Sequence, residues 1–234
     1  MPDHIGLSAT HARSAILTGD PTRVPWMAEA WGGAVVSEGD RRGFRYVEMT
    51  DVVVMGTGIG APATAIVAEE LIELGIENLV RIGSCGAISA QVMPGDLVLS
   101  TGAVRDEGTS RTYLPPEVPA LPDFGLLTEL VGAARHEVIP FHIGLTHCKD
   151  AYYSEDPARA LDEEETRLRW SVLARVGVLA TEMEAAALFA VAGIRGARAG
   201  AILVSVGADV EKAYLQGGLE AAIRIAQQAM SNRS

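Results

Sequence analysis

Positive charge and apolar runs are both scarce in this chain. Its 19 lysine and arginine residues face 30 aspartate and glutamate residues, for a net charge of −11. We therefore expect no nucleic-acid partner, because phosphate backbones bind basic surfaces. No apolar run reaches the roughly 18 residues of a membrane span, so no membrane partner is expected. Charged and polar residues are spread throughout residues 1–12, so we expect no signal peptide and a soluble, cytoplasmic protein.

Cysteine and aromatic residues are few as well. Cys85 and Cys148 are too few for a disulfide framework and lack the spacing of metal ligands. We expect both to be small, buried residues. Aromatic residues make up 5% of the chain, whereas hydrophobic residues make up 48% and glycines number 25. A chain of 234 residues with this composition suits one large domain with a closely packed core.

Strand-like and helix-like segments alternate along the chain, without repeats or a long linker. Short apolar runs predict strands at 14–18, 43–48, 52–55, 78–82, 96–100, 140–145, 176–180 and 199–206. Apolar residues at helical spacing predict helices that start near Pro21 and at 63–74, 126–136, 162–170, 181–191 and 219–230. The prediction is a single α/β domain over residues 1–234, with a mixed, largely parallel central sheet between two layers of helices.

Residues 181–189 form the segment that most clearly indicates a function. Glu182, Met183 and Glu184 lie where a predicted strand passes into an alanine-rich helix. Strand-to-helix junctions are common ligand sites in α/β folds. The alternative is structural: Thr181 would cap the helix, and the two glutamates would favour its positive end.

Three arginines adjoin glycine-containing turns. Arg23 follows the turn at 19–21, Arg42 precedes a glycine, and Arg81 precedes the predicted turn at 83–87. The planar fork of donors on arginine suits phosphate. The backbone N–H of Gly19 and the hydroxyl of Ser84 would add two more donors. Together these residues predict a pocket for inorganic phosphate or sulfate, although each arginine alone would be an ordinary surface residue.

The glycine-rich loop at 56–60 does not match a dinucleotide fingerprint. Its third glycine follows the second after two residues rather than three. The acidic residue expected about 20 residues later would fall near Glu77, in a turn. We interpret this loop as a place where the backbone passes close to another group.

In their order and spacing, these segments resemble the nucleoside phosphorylase family that includes hexameric purine nucleoside phosphorylases and uridine phosphorylases. The resemblance covers most of the chain, in segments 4–7, 19–23, 42–44, 58–62, 81–87 and 182–184. It implies a pentosyltransferase that cleaves the N-glycosidic bond of a nucleoside with phosphate. The products would be a free base and ribose or deoxyribose 1-phosphate. Inorganic phosphate would be a co-substrate, and no metal or organic cofactor is implied.

The resemblance also implies roles for particular residues. The implied phosphate site consists of Gly19, Arg23, Arg42, Arg81 and Ser84. The implied nucleoside contacts are His4, Tyr152, Glu182, Met183 and Glu184. The implied catalytic residues are Arg81, Glu184 and Asp209. His4 and Arg42 would each complete the site of a neighbouring subunit, so the resemblance implies a homo-oligomer, a hexamer built as a trimer of dimers.

The implied reaction accounts for these residue types. Cleavage of the C1′–N bond builds positive charge on the ribose ring, as in glycoside cleavage. Phosphate held by arginines would stabilise that charge and then attack the sugar. Glu184 would orient the sugar by accepting hydrogen bonds from its 2′- and 3′-hydroxyls. The base leaves with negative charge, so a proton donor beside it would lower the barrier.

Two features favour purine nucleosides as substrates, with uridine as the alternative. The loop at 150–157 lacks the glutamine that grips uracil in pyrimidine-specific members, and Glu155 would repel a uracil carbonyl. Arg159 is a candidate for the arginine that accompanies that glutamine. Asp209 follows the last predicted strand, near the position where purine enzymes place an aspartate that protonates the base. Residues 4–7 and 58–62, by contrast, are closer to uridine phosphorylases.

Two further functions stay open. A nucleosidase of the same fold would use water instead of phosphate, and the three arginines argue against it. A non-catalytic nucleoside-binding or regulatory protein would not need both the phosphate residues and Glu184. Gly43 and Ala63 stand where uridine phosphorylases of enteric bacteria bind a monovalent cation through glutamate and serine, so we predict no such ion.

Overall fold

Strands and helices alternate over residues 3–207 and 212–231, which are the residues that the computed structural model describes. The strands are β1 (Ser14–Thr18), β2 (Val35–Arg41), β3 (Phe44–Met49), β4 (Val52–Gly56), β5 (Asn78–Ala87), β6 (Leu97–Asp106), β7 (Phe141–Lys149), β8 (Val178–Glu182) and β9 (Arg198–Val206). The helices are α1 (Val24–Trp31), α2 (Ala61–Glu73), α3 (Thr109–Tyr113), α4 (Phe124–Ala134), α5 (Glu163–Arg175), α6 (Ala185–Arg195) and α7 (Lys212–Ser231). A short 3-10 helix, Pro21–Arg23, precedes α1.

The nine strands of the described residues form one mixed sheet in the order β2-β3-β4-β1-β5-β8-β7-β6-β9. Parallel pairing joins β1 to β4 and β5, β5 to β9, and β7 to β6 and β8. Antiparallel pairing joins β3 to β2 and β4, β5 to β8, and β6 to β9. Because β5 pairs with both β8 and β9, strands β5 to β9 close into a ring.

Helices cover both faces of the sheet. On one face α2 packs against α6, with Leu71 and Phe189 buried between the helices and the sheet. On the other face α1 and α4 pack around α7, with Met27, Leu130 and Ile223 buried. The predicted α/β domain with a mixed sheet between helices is therefore confirmed. Among the described residues, no helix is both long and apolar enough to span a bilayer.

Two predictions beside the candidate site are wrong. Residues 83–87 are not a turn but the second half of β5, because their backbone pairs with β9 as far as Gly86. Helix α6 begins at Ala185 rather than at Thr181. Thr181 and Glu182 stay in β8 because they pair with His147 and Cys148 of β7.

Two elements have no predicted counterpart. β2 is mostly exposed and polar, so its sequence lacks the apolar alternation of a half-buried strand. α3 is a single short helix inside the segment at 108–124, where four prolines favour a loop. Cys85 and Cys148 are free and buried, as predicted.

Candidate active site

A cavity of about 920 Å³ opens beside the ends of β1, β7, β8 and β9. The residues that follow these strands line it, together with the second half of β5 and the loop between β7 and α5. Most residues predicted from the sequence meet here: Gly19, Arg23, Arg81, Ser84, Tyr152, Glu182, Met183 and Glu184. The sequence places these residues in four separate segments, which the sheet brings to one wall.

Arg81 lies between two carboxylates in the cavity wall. Its Nε donates to Glu182 Oε2 at 3.0 Å, and its Nη2 lies 2.5 Å from Glu184 Oε2. All three side chains are almost fully buried. Removing one partner of such a buried group is costly, because it leaves a buried charge without compensation.

The two glutamates have different partners on the backbone. Glu182 Oε2 accepts the N–H groups of Glu184 at 2.8 Å and Ala185 at 2.9 Å, so this carboxylate caps the start of α6. Glu184 makes no cap, and its Oε1 instead accepts the N–H of Gly60 at 2.7 Å. The structural alternative therefore holds for Glu182, whereas Thr181 does not cap the helix.

Burial and the ion pairs shift the pKa values of Glu184 and Arg81. Burial raises the pKa of Glu184 above its ordinary value, although the neighbouring charge of Arg81 opposes that shift. Burial alone would lower the pKa of Arg81, but the charges of Glu184 and Glu182 outweigh burial and raise it. Arg81 is therefore a permanent cation, and Glu184 is the group of this pair that can gain a proton.

Glycines let the backbone approach this charged group closely. A Cβ on Gly83 would come within 2.9 Å of the Arg81 guanidinium. A Cβ on Gly19 would lie 3.7 Å from Glu184 Oε1 and 3.8 Å from Arg81 Nη1. Gly60 has a φ of +97°, which other residues rarely adopt. The loop at 56–60 is thus a close backbone approach, as predicted from its sequence.

The segment after β1 carries a cation into the same cavity. Asp20 accepts the N–H of Thr22 at 3.0 Å and so caps the 3-10 helix that ends with Arg23. Arg23 Nε lies 3.3 Å from Asp20 Oδ2, and its side chain is partly exposed toward the cavity. Arg23, Arg81 and the partly buried Ser84 offer the donors that an anion needs.

The loop between β7 and α5 also lines the cavity, with Tyr152, Tyr153 and Arg159. The Arg159 guanidinium lies 5.0 Å from the centre of the Tyr153 ring and 3.8 Å from Asp156. Lys149 and Glu155 also line the cavity, with Nζ and Oε2 3.6 Å apart. Sequence reasoning missed Lys149 as a site residue. In the sequence, Lys149 is a single lysine at the end of an apolar strand, directly before the polar loop, and that pattern is not distinctive.

Behind this loop, a chain of hydrogen bonds runs to the cavity. His147 Nε2 lies 2.8 Å from Asp106 Oδ2, and His147 Nδ1 lies 3.1 Å from the Thr181 hydroxyl. Burial lowers the pKa of His147, which favours the neutral ring. In that state Nε2 donates to the carboxylate and Nδ1 accepts from Thr181, so the Thr181 oxygen keeps a lone pair for a ligand.

Asp106, His147 and Glu155 place their ligand atoms within 4.8 Å of one another, a spacing that could hold a metal ion. Two cations already neutralise these carboxylates. Arg169 contacts Asp106, and Lys149 pairs with Glu155. The donor set therefore fits an ion-pair network better than a metal site.

Three of the site residues predicted from the sequence are not among the described residues that line the cavity. His4 pairs with Glu70, at 2.5 Å between Nδ1 and Oε1. Arg42 is exposed in the turn between β2 and β3, with a φ of +57°. Asp209 lies outside the described residues.

Comparisons with known proteins agree with this geometry. The family model of the phosphorylase superfamily matches residues 13–232. A uridine phosphorylase of Treponema pallidum is 36% identical over 239 aligned residues, which cover 97% of this chain and 92% of the relative. A guanosine phosphorylase of Halorubrum lacusprofundi is 41% identical and covers 80% of this chain and 75% of its own length.

A solved structure gives the same result for the fold. The crystal structure of uridine phosphorylase from Vibrio fischeri superposes with a TM-score of 0.88 at 27% identity, covering 99% of this chain and 98% of that chain. Sequence, fold and cavity residues thus lead to one conclusion: the chain belongs to the phosphorylase superfamily.

Proposed function

We propose that this protein is a nucleoside phosphorylase, a pentosyltransferase that cleaves a nucleoside with inorganic phosphate to a free base and a pentose 1-phosphate. The observation that carries the proposal is the buried group of Arg81, Glu182 and Glu184 in a cavity that Arg23 and Ser84 also line. A cation for phosphate and a carboxylate for sugar hydroxyls stand side by side there. No metal or organic cofactor enters the proposal.

The buried group supplies the two things that the reaction needs. Arg81, with Arg23, Ser84 and the N–H of Gly19, would hold phosphate against the face of the sugar. Glu184 would accept hydrogen bonds from the ribose hydroxyls and fix the C1′ atom over the phosphate. Its bond from Gly60 and its ion pair with Arg81 hold the carboxylate in place before the substrate arrives.

Among the possible nucleosides, the names of the relatives favour uridine as the substrate. Uridine phosphorylase is the name of the Treponema pallidum relative and of the Vibrio fischeri structure. The purine preference that the sequence predicts stays a prediction, as does the role of Asp209. The loop at 150–157 lacks a glutamine for uracil, and Glu155 by itself would repel a uracil carbonyl. Lys149 lies 3.6 Å from that carboxylate, so a donor for the carbonyl is at hand.

His4 and Arg42 enter the proposal as residues of a neighbouring subunit's site. Neither lines the cavity of its own chain, and Arg42 is exposed at the tip of a hairpin. A homo-oligomer in which these residues reach the next cavity would give both a function. A fully active monomer in light scattering would contradict this assembly.

The test is base release from uridine, inosine, guanosine and adenosine, with and without phosphate. A phosphorylase releases base only with phosphate and forms an equal amount of pentose 1-phosphate. Equal release without phosphate would identify a nucleosidase instead. Binding of nucleosides without any release would identify a non-catalytic protein.

A further inference from the structure

Glu70, on α2, holds the N-terminal segment of the chain. Its Oε1 accepts the N–H of Asp3 at 3.0 Å, and its Oε2 accepts the N–H groups of His4 at 2.9 Å and Ile5 at 3.0 Å. The Nδ1 atom of the His4 ring lies 2.5 Å from Oε1. Burial alone would raise the pKa of Glu70, but the hydrogen bonds from Ile5 and His4 outweigh burial and lower it. Glu70 is therefore an ionised group that only accepts hydrogen bonds.

These contacts fix both the position and the tautomer of the His4 ring. Because Glu70 only accepts, we assign the proton to Nδ1, and Nε2 of the neutral ring then carries a lone pair. The His4 side chain is 41% exposed, and among the described residues no hydrogen bond or ion pair reaches Nε2. Nε2 is thus an acceptor that is held in place and can receive a donor from a ligand.

His4 is held too far along α2 to reach the sugar site of its own chain. Glu184 contacts the N–H of Gly60, where α2 begins. Glu70 follows ten residues later, which is about 15 Å along a helix axis. Neither His4 nor Glu70 is among the described residues that line the cavity. A sugar that His4 contacts therefore lies in the cavity of another copy of the chain.

Arg42, the other residue proposed for a neighbouring site, lies beside the same segment. A Cβ on Gly6 would come within 2.9 Å of the Cβ of Arg41, so the N-terminal segment packs against the end of β2. Arg42 follows directly in the hairpin turn and is exposed. Both side chains therefore lie on one part of the surface, where a single neighbouring cavity would meet the guanidinium and the imidazole together.

Resting on the proposed function, we propose that Glu70 is a positioning residue for the site of a neighbouring subunit. It fixes the His4 ring so that Nε2 accepts the 5′-hydroxyl of the nucleoside bound there. Glu184 takes the 2′- and 3′-hydroxyls in the proposed function, which leaves the 5′-hydroxyl as the sugar donor still to be paired. An ionised partner on Nδ1–H also makes Nε2 a stronger acceptor. Recognition of the 5′-hydroxyl thus depends on a carboxylate that touches no substrate.

The first experiment compares uridine with 5′-deoxyuridine at saturating phosphate. In the unmodified protein, we expect kcat/KM to be at least about tenfold higher for uridine, the effect of one good hydrogen bond. His4→Ala should bring this ratio toward one. Glu70→Gln should do so as well, because its amide nitrogen cannot accept the hydrogen bonds that a carboxylate oxygen accepts. The double variant should show the ratio of His4→Ala and no lower, since both changes remove the same contact.

Glu69→Gln is the matched control for Glu70→Gln. Glu69 is the preceding residue of α2 and pairs with Arg195, so its replacement should leave the ratio unchanged. A merely structural role of Glu70 would lower the melting temperature, and kcat/KM for both nucleosides equally, without changing the ratio. Should Glu70→Gln not fold, Glu70→Asp makes the same test, because it keeps the charge but withdraws the carboxylate. A folded Glu70 variant with the original ratio would overturn the inference.

Mixed oligomers test whether His4 acts on another subunit. His4→Ala and Glu184→Gln subunits are co-expressed, so that a site that keeps Glu184 can receive an unmodified His4 from its neighbour. We expect the ratio of uridine to 5′-deoxyuridine to rise above that of His4→Ala alone. A ratio that stays at the value of His4→Ala would overturn the inference and leave the phosphorylase activity intact. Absence of cleavage of any nucleoside by the unmodified protein would reject the proposed function, and with it the inference that rests on it.

Discussion

The Arg81 guanidinium lies directly over the backbone of Gly83, two residues later in β5. A Cβ at position 83 would come within 2.9 Å of three guanidinium atoms, a distance that real Cβ atoms do not reach. The side chain of Arg81 can therefore fold back along its own strand only because residue 83 is glycine. This relationship explains why a strand that pairs along its whole length contains a glycine beside the candidate phosphate site.

Gly83→Ala should displace Arg81 and lower kcat/KM by about 100-fold, because small misplacements of a positioned group cost that much. The matched control is Gly132→Ala in α4, where an added Cβ meets nothing within 4 Å. That variant should keep full activity and gain slightly in stability. Steady-state kinetics with uridine and phosphate measure both. Normal activity of Gly83→Ala would show that Arg81 does not need this position.

Glu182 and Glu184 should differ in what their loss changes. Glu182→Ala removes a cap of α6 and a partner of buried Arg81, so the free energy of unfolding should fall by about 3–5 kcal/mol. Glu184→Gln keeps the shape of the side chain and should mainly lower turnover, by orders of magnitude. Urea unfolding and kcat measured on both variants separate the two effects. Unchanged turnover in Glu184→Gln would reduce Glu184 to a charge at the start of a helix.

The raised pKa of Glu184 predicts a pH dependence. The proposed ribose contact needs the carboxylate, so kcat/KM should fall on the acid side at a higher pH than an ordinary glutamate would cause. The effect on stability has the opposite sign. A raised folded-state pKa contributes stability that is present below the unfolded-state pKa and is lost as the pH rises through the folded-state pKa.

A pH series on two proteins measures this dependence. The stability advantage of the unmodified protein over Glu184→Gln should be greatest in acid and should shrink as the pH rises. The acid limb of the activity profile should be missing from whatever activity Glu184→Gln retains. A stability difference that grows with rising pH would contradict the direction of the shift.

Cys85 should be unreactive although it lines the cavity. Burial raises the pKa of its thiol to about 12. At pH 8 the reactive thiolate then makes up about one molecule in ten thousand. We expect iodoacetamide to leave Cys85 unmodified in the native protein and to modify it after unfolding, as read by mass spectrometry. Rapid native modification would show that Cys85 is exposed or activated.

The sequence predicted the architecture well but the local path of β5 and β8 poorly. Alternating apolar runs and helical periodicity depend on neighbouring residues, so strands such as β1 and helices such as α2 are visible in them. The glycines at 83 and 86 suggested a turn because nothing local shows that β9 pairs alongside them. The same limit explains β2, whose exposed residues carry no apolar signal.

The candidate site likewise contains residues that the sequence predicts and residues that it does not. The residues of the proposed phosphate and nucleoside contacts could be chosen from motifs, and eight of them line one cavity. Lys149 could not, because a single lysine at a strand end has no distinctive pattern. The contacts that place Lys149 in the site come from Glu155, which lies in a loop, and from Trp170, which lies on the next helix.

By itself, the sequence determined an acidic α/β protein with arginines at turns and a Glu-Met-Glu segment after a buried strand. It also placed the chain near the right family, because those motifs are short and continuous. The tertiary structure decided which charges meet. Arg81 and Glu182 are 101 residues apart, and Gly60 and Glu184 are 124 apart. Such pairs form only when strand register and helix packing set their positions, and these depend on the whole core rather than on neighbouring residues.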